Sequence, residues 1–267
     1  MTVTTLSTRR SRTRRPMSGW RLEWLRLLRS ARGVSLLAVY VFYGLLGPVI
    51  ARYLADIVRN VQSDSGIKIT ITRAPVPKDG MINFVSQVGQ IGLIVTVVVA
   101  AGALAFDGRR GISTFFRTRA RDIWQLVLPR AVVPALGAVV AYTAGTLAAW
   151  YETSLLIGAP SVGVVLAGWL TGVVFLVFVV AVVAAASSLA RGTLGTIGVA
   201  LGALVVFPLV GIVDSVHDWL PTSLMTAPVD LLNGAHLTHY LPTLALTICL
   251  SCLLVAGAVV RLNHRDA

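Results

Sequence analysis

Residues 162–213 read VGVVLAGWLTGVVFLVFVVAVVAAASSLARGTLGTIGVALGALVVFPLVGIV, some fifty residues that hold a single ionisable side chain, Arg191. A single helix of that length would run about 75 Å, more than twice the ~30 Å hydrocarbon layer of a bilayer. The stretch therefore turns back on itself. Only Ser187–Gly192 has the chemistry for a turn: two serines, the lone arginine and a glycine able to end a helix. Two membrane spans joined by a tight turn follow, over 162–186 and 193–213.

The same pattern extends in both directions. Runs of about 20 apolar residues occur at 33–53, 81–106, 131–151 and 241–260, making six spans in all. Of 267 residues, 56% are hydrophobic and 13% charged, with mean hydropathy +0.80. Soluble domains carry about a quarter charged residues, so this is an all-α polytopic membrane protein. The formal charge of +12 does not point to nucleic acid, because the basic residues flank apolar spans instead of covering a soluble face.

Those charges also set the orientation. With the N-terminus in the cytoplasm, 18 of the 23 basic residues fall on that side, as the positive-inside rule requires. Both termini are expected inside. Residues 1–16, with five arginines and little apolar content, read as a disordered tail; a cleavable signal peptide is not expected. Residues 17–32 place Trp20, Trp24, Leu27, Leu28 and Ala31 at helical spacing, the pattern of an interfacial elbow helix whose tryptophans anchor at headgroup depth.

The longest strongly basic interruption is Asp107–Arg130, DGRRGISTFFRTRARDIWQLVLPR. Apolar residues at helical spacing, including Phe115, Phe116 and Trp124, alternate with Arg117, Arg119 and others. Such a loop reads either as a solvated topology determinant or as an amphipathic helix whose aromatics are buried at a helix end, the lipid interface or a partner. On the opposite side, 53–80 reads as a small extracellular insert, in which GIKITITRAP alternates like a strand. Residues 214–240 read as short helices dipping into the outer interface. His217 with Asp214 and Asp218, or His236 with His239, are conceivable metal ligands, but solvated outer-loop histidines are the plainer reading. Cys249 and Cys252, spaced CxxC inside an apolar run, read as buried inert thiols.

The absences also discriminate. None of the six spans as drawn has an ionisable residue in its interior, unlike ion-coupled carriers. There is no GxxxxGK[ST], no HExxH and no GxSxG serine with a span histidine, so neither a nucleotide site nor a membrane-embedded hydrolase is legible. No bound cofactor and no metal are expected.

With its elbow WRLEWLRLLRS (Trp20–Ser30), its six spans, a first cytoplasmic loop running acid, Gly, Thr, aromatic, Arg and then DIWQLVLPR, and its tight turn between spans four and five, the chain resembles the type-2 ATP-binding cassette (ABC) exporter permeases over Met17–Arg265. In that loop Asp107 takes the acid position and Gly111 the glycine, while RTRARD replaces the usual proline turn. The resemblance implies a coupling helix over Gly111–Trp124 that docks on a cytoplasmic ATPase. Its contact residues would be Asp107, Gly111, Phe115, Phe116, Arg117, Arg119, Asp122 and Trp124, with Arg191 in a second, smaller contact. It implies two ATPase subunits that hold ATP and Mg, and a second permease copy or a related permease. It also implies a pathway lined by spans two and five, with Gln87, Gln90, Thr96, Phe207 and Leu209 as candidates, although helix packing explains each of these equally well. An uncharged pathway suits amphipathic or lipid-like substrates or drugs, and the Ala, Val, Gly and Arg bias suits a GC-rich bacterium and its plasma membrane. A non-transporting scaffold and a stand-alone carrier or channel remain the alternatives.

Overall fold

A computed structural model describes residues 19–65, 74–104, 124–190, 192–210 and 219–264. Every element among them is helical: α1 (Gly19–Leu28), α2 (Ala31–Ser65), α3 (Pro77–Gln87), a π-helical turn (Val88–Gly92), α4 (Leu93–Leu104), α5 (Trp124–Leu156), α6 (Val162–Leu189), α7 (Gly192–Val210), α8 (Ser223–Leu232), a 3₁₀ turn (Leu237–Tyr240) and α9 (Leu241–His264). Six stretches are long and apolar enough to cross a membrane, with α3, the π turn and α4 together forming the second. The chain is an all-α, multi-pass membrane protein.

The fifty-residue apolar stretch is divided as its length demands. α6 ends at Leu189, and α7 begins at Gly192, whose φ of +77° is the left-handed conformation that glycine adopts without a Cβ penalty. The two serines leave the ladder gracefully: Ser187 donates to Ala184 O and Ser188 to Ala185 O, both at 2.7 Å.

α6 is the centre of the bundle. In its most apolar eighteen residues 72% are buried, against 17% in α7. It packs on α9, α8, α4, α7 and α5, and Phe178, Val179 and Val183 along it are fully enclosed. Between lipid-solvated helices the hydrophobic effect gives little attraction, so close packing and small residues hold the interfaces. α2 and α5 form the most extensive of these interfaces. At their crossing a Cβ on Gly44 would strike the Gly145 carbonyl, and one on Gly145 would lie 2.6 Å from Tyr40 O, so the backbones touch because both positions are glycine. α9 presents Thr243, Thr247 and Ser251 as a buried stripe at i, i+4 spacing. These hydroxyls return to their own helix, Thr247 to Thr243 O and Ser251 to Thr247 O, and bring no unsatisfied donor into the core.

Several sequence expectations need correction. The first apolar span ends at Leu54, but its helix α2 continues beyond it to Ser65, and the helix of the second span starts at Pro77 instead of Met81. Polar residues such as Arg59, Asn60 and Gln62 carry no span signal, but they are compatible with a helix that has already left the apolar layer. Most of the strand-like GIKITITRAP stretch lies outside the described residues. Cys249 and Cys252 are exposed, not buried, because the Thr243–Thr247–Ser251 stripe takes the packed face of α9 and turns both thiols outward. At the other end, α1 is a separate short helix that stops at Leu28. Ser30 Oγ donates to Leu27 O across the break before α2 starts.

Candidate functional site: the basic end of the bundle

Of the residues expected to contact a partner, Asp107, Gly111, Phe115, Phe116, Arg117, Arg119, Asp122 and Arg191 lie outside the described residues. Trp124 is the first residue of α5. The described structure supplies the frame beside them: the last described turn of α4, the start of α5, α1 packed on α5, and the start of α2 linked to α4.

α1 is fastened by charge. Glu23 is buried, and Arg130 Nε donates to its Oε1 at 3.2 Å; Arg26 Nη1 lies 3.7 Å from the same oxygen. This pair ties α1 to the first turns of α5, where Leu27 also covers Gly137 so closely that a Cβ there would come within 2.7 Å of it. A second link follows the break: Arg32 Nη1 donates to Gly102 O at 2.8 Å. Gly102 is in the last described turn of α4, so the guanidinium ties the start of α2 to the backbone of that turn. One short segment thus holds both ends of the polypeptide that enters and leaves the basic loop. Sequence reading passed over Glu23, although there was a signal: it is the only acid in the first 55 residues, amid ten arginines. Of the two anchors, Trp20 is exposed and Trp24 half-buried.

Deeper in the bundle, the π turn sits beside a polar contact. Thr96 Oγ1 donates to Gly92 O at 2.8 Å, and since its one hydrogen is used there, Tyr40 OH is the donor in the 2.9 Å contact with Thr96 Oγ1. The Tyr40 ring lies over Gly92, where a Cβ would come within 3.1 Å, edge-on to Tyr142, which in turn stacks on Phe84. Thr96 is therefore a core residue of the α2–α4 contact and does not face an opening.

The remaining pathway candidates are not gathered into one cavity. Gln87 is half-buried, Gln90 and Leu209 are exposed, and Phe207 is half-buried with its ring edge-on to Phe178 at 5.5 Å. A cavity of about 400 Å³ lies instead between α5 and α6, lined by Thr143, Thr146, Trp150, Val165, Leu166 and Trp169 among others. Its hydroxyls are occupied. Thr143 donates to Val139 O and accepts from Trp169 Nε1, and Thr146 donates to Tyr142 O, so the cleft offers hydrocarbon and aromatic surface.

At the opposite end, α8 buries Leu224, Ala227 and Leu231. Asp230 accepts from Tyr240 OH at 3.0 Å, and Lys78 donates to Asn233 at 3.0 Å. Among the described residues no three His, Cys, Asp or Glu side chains converge as a metal site; His236 and His239 are exposed, while His217 and its flanking aspartates lie outside the described residues. In comparisons with known proteins, no family model, no curated protein and no solved structure matches the chain.

Proposed function

We propose that this chain is the membrane-spanning permease subunit of an ATP-driven exporter in a bacterial plasma membrane, with the basic end cytoplasmic. A separate ATPase, in two copies, energises it through the 107–130 loop, and a second copy of this permease or a related chain completes the pathway. Its substrate is amphipathic or lipid-like.

The observation that carries this reading is the distribution of charge along the spans. Every Asp, Glu, Lys, Arg and His in the six apolar stretches lies within five residues of an end: Arg32, Arg52, Lys78, Asp79, Arg130, Glu152, His239 and Arg261. An ion-driven carrier places such groups at mid-membrane, so driving energy has to enter from outside the spans. The loop whose two flanking helices are tied to Glu23 of α1 and Arg32 of α2 is the place where an external protein would act on α4 and α5 together. The α5–α6 cleft supports a substrate of low charge, since its walls are hydrocarbon and aromatic and carry no charged group, Trp150 Nε1 being a buried donor without a partner among the described residues.

Association with the ATPase tests the proposal. Replacing Phe115, Phe116 or Trp124 with alanine is expected to weaken association by about thirtyfold each, the usual loss when an interface anchor is removed. Transport should fall with it, while insertion and the thermal stability of the permease are unchanged. Retention of both partner and transport in the triple variant would place the loop among topology determinants and favour a scaffold or a lone carrier.

A further inference from the structure

We propose that the pocket between α1, α4 and α5 binds the phosphate of an anionic membrane lipid. The pocket, about 30 Å³, is lined by Glu23, Arg26, Ser30, Arg32, Val99 and Pro134 among others. It has room for about two water-sized groups, which suits the oxygens of one compact headgroup and excludes an acyl chain.

Its charge is unbalanced in one direction. The single carboxylate, Glu23, is engaged by Arg130 at 3.2 Å, leaving Arg26 and Arg32 as positive charge facing the cavity. Arg26 is 63% exposed and stands 3.7 Å from Glu23, too far for a good hydrogen bond. Arg32 commits Nη1 to Gly102 O; its other N–H groups have no partner among the described residues. Two guanidinium groups with donors to spare, both lining a small cavity, match the oxygens of a phosphate. Ser30 adds no donor, because its hydrogen goes to Leu27 O.

The flanking residues indicate where that phosphate comes from. Leu28, 65% exposed, precedes Ser30, and Val34, 63% exposed, follows Arg32. Exposed apolar side chains on the same segment suit a lipid surface and have no use in water. Basic pockets between spans at a membrane surface are a recognised form of headgroup site. Free phosphate offers the same oxygens, so the two sources are separated experimentally.

The full chain, purified in neutral detergent, would be titrated with phosphatidylglycerol, phosphatidylcholine and inorganic phosphate, following adducts by native mass spectrometry and stability by thermal unfolding. One phosphatidylglycerol is expected to remain bound and to raise the unfolding temperature, with no comparable effect from the other two. Arg26→Gln should weaken binding about fivefold, and Arg26→Gln with Arg32→Gln about thirtyfold. Arg21→Gln with Arg29→Gln removes the same charge from exposed positions outside the pocket, and should change affinity less than twofold. Equal loss in that control would reduce the site to general surface attraction, and inorganic phosphate binding as tightly as lipid would overturn the lipid assignment. Because Arg32→Gln also removes the bond to Gly102, Arg26→Gln alone decides the matter if the double variant does not fold; unchanged affinity there refutes the site.

Discussion

Gly145→Ala is the sharpest probe of how the bundle is held. A Cβ at this position would lie 2.6 Å from Tyr40 O, 3.0 Å from Tyr40 C and 3.2 Å from Phe84 Cε2, where ordinary contacts begin near 3.4 Å. The obstructing atoms are mostly backbone, so α2 and α5 would have to separate by roughly 0.8 Å or their rings repack. Overpacking of this kind costs about 1–3 kcal/mol. Alanine simultaneously improves helix propensity by up to about 1 kcal/mol, which masks part of the loss. Gly198→Ala is the matching control: it lies in α7, where an added Cβ meets nothing within 4 Å, and should show the propensity gain alone. The difference between the two variants isolates the steric term. Thermal unfolding in a fixed detergent should place Gly145→Ala below Gly198→Ala by several degrees, at about 2–4 °C per kcal/mol. Adding Gly44→Ala should cost less than its effect in isolation, because the same separation relieves both contacts. If Gly145→Ala is as stable as Gly198→Ala, the helices are not held by backbone contact and the packing argument fails.

Two further outcomes follow from contacts at the core and at the basic end. Tyr40→Phe removes one interhelical donor while leaving Thr96 bonded to Gly92, and should lower stability by about 0.6–1.7 kcal/mol, the range for such bonds in membranes; no change by thermal unfolding would show that the hydroxyl contributes nothing. For the Glu23–Arg130 pair, a double-mutant cycle with Glu23→Gln and Arg130→Gln should give a coupling of about 1–2 kcal/mol, above the level of exposed pairs. Additive single losses would mean that α1 is held by Leu27 packing and not by charge.

The six spans were legible because the membrane imposes its own period: length and the absence of charge suffice, as at Val162–Leu189, where no ionisable residue occurs. The turn was legible because Ser187, Ser188 and Gly192 interrupt that pattern. What escaped was decided by neighbours. The outward direction of Cys249 and Cys252 depends on which face of α9 meets α6, and a uniformly apolar helix does not announce its packed side. The extension of α2 to Ser65 escaped because hydropathy marks where a helix leaves the apolar layer, not where it stops. Thr96 looked like a pathway residue because a lone hydroxyl in a span suggests one, yet its use is set by Tyr40, 56 positions away. Glu23 had a visible signal, a single acid among arginines, but its partner Arg130 is 107 residues distant.

The length of α2 has a mechanical consequence. Its 35 residues span about 52 Å, and its closest backbone contact, at Gly44, divides that rod unequally. About 20 Å separate the contact from Ala31, beside α1, and about 32 Å separate it from Ser65. Rotation about this point would make α2 a lever with a ratio of about 1.6: a 2 Å displacement beside α1 would emerge as about 3 Å, in the opposite sense, at the far tip. Pro48, one turn beyond the fulcrum, lacks the N–H that would brace the rod there, so bending and pivoting share nearly the same place.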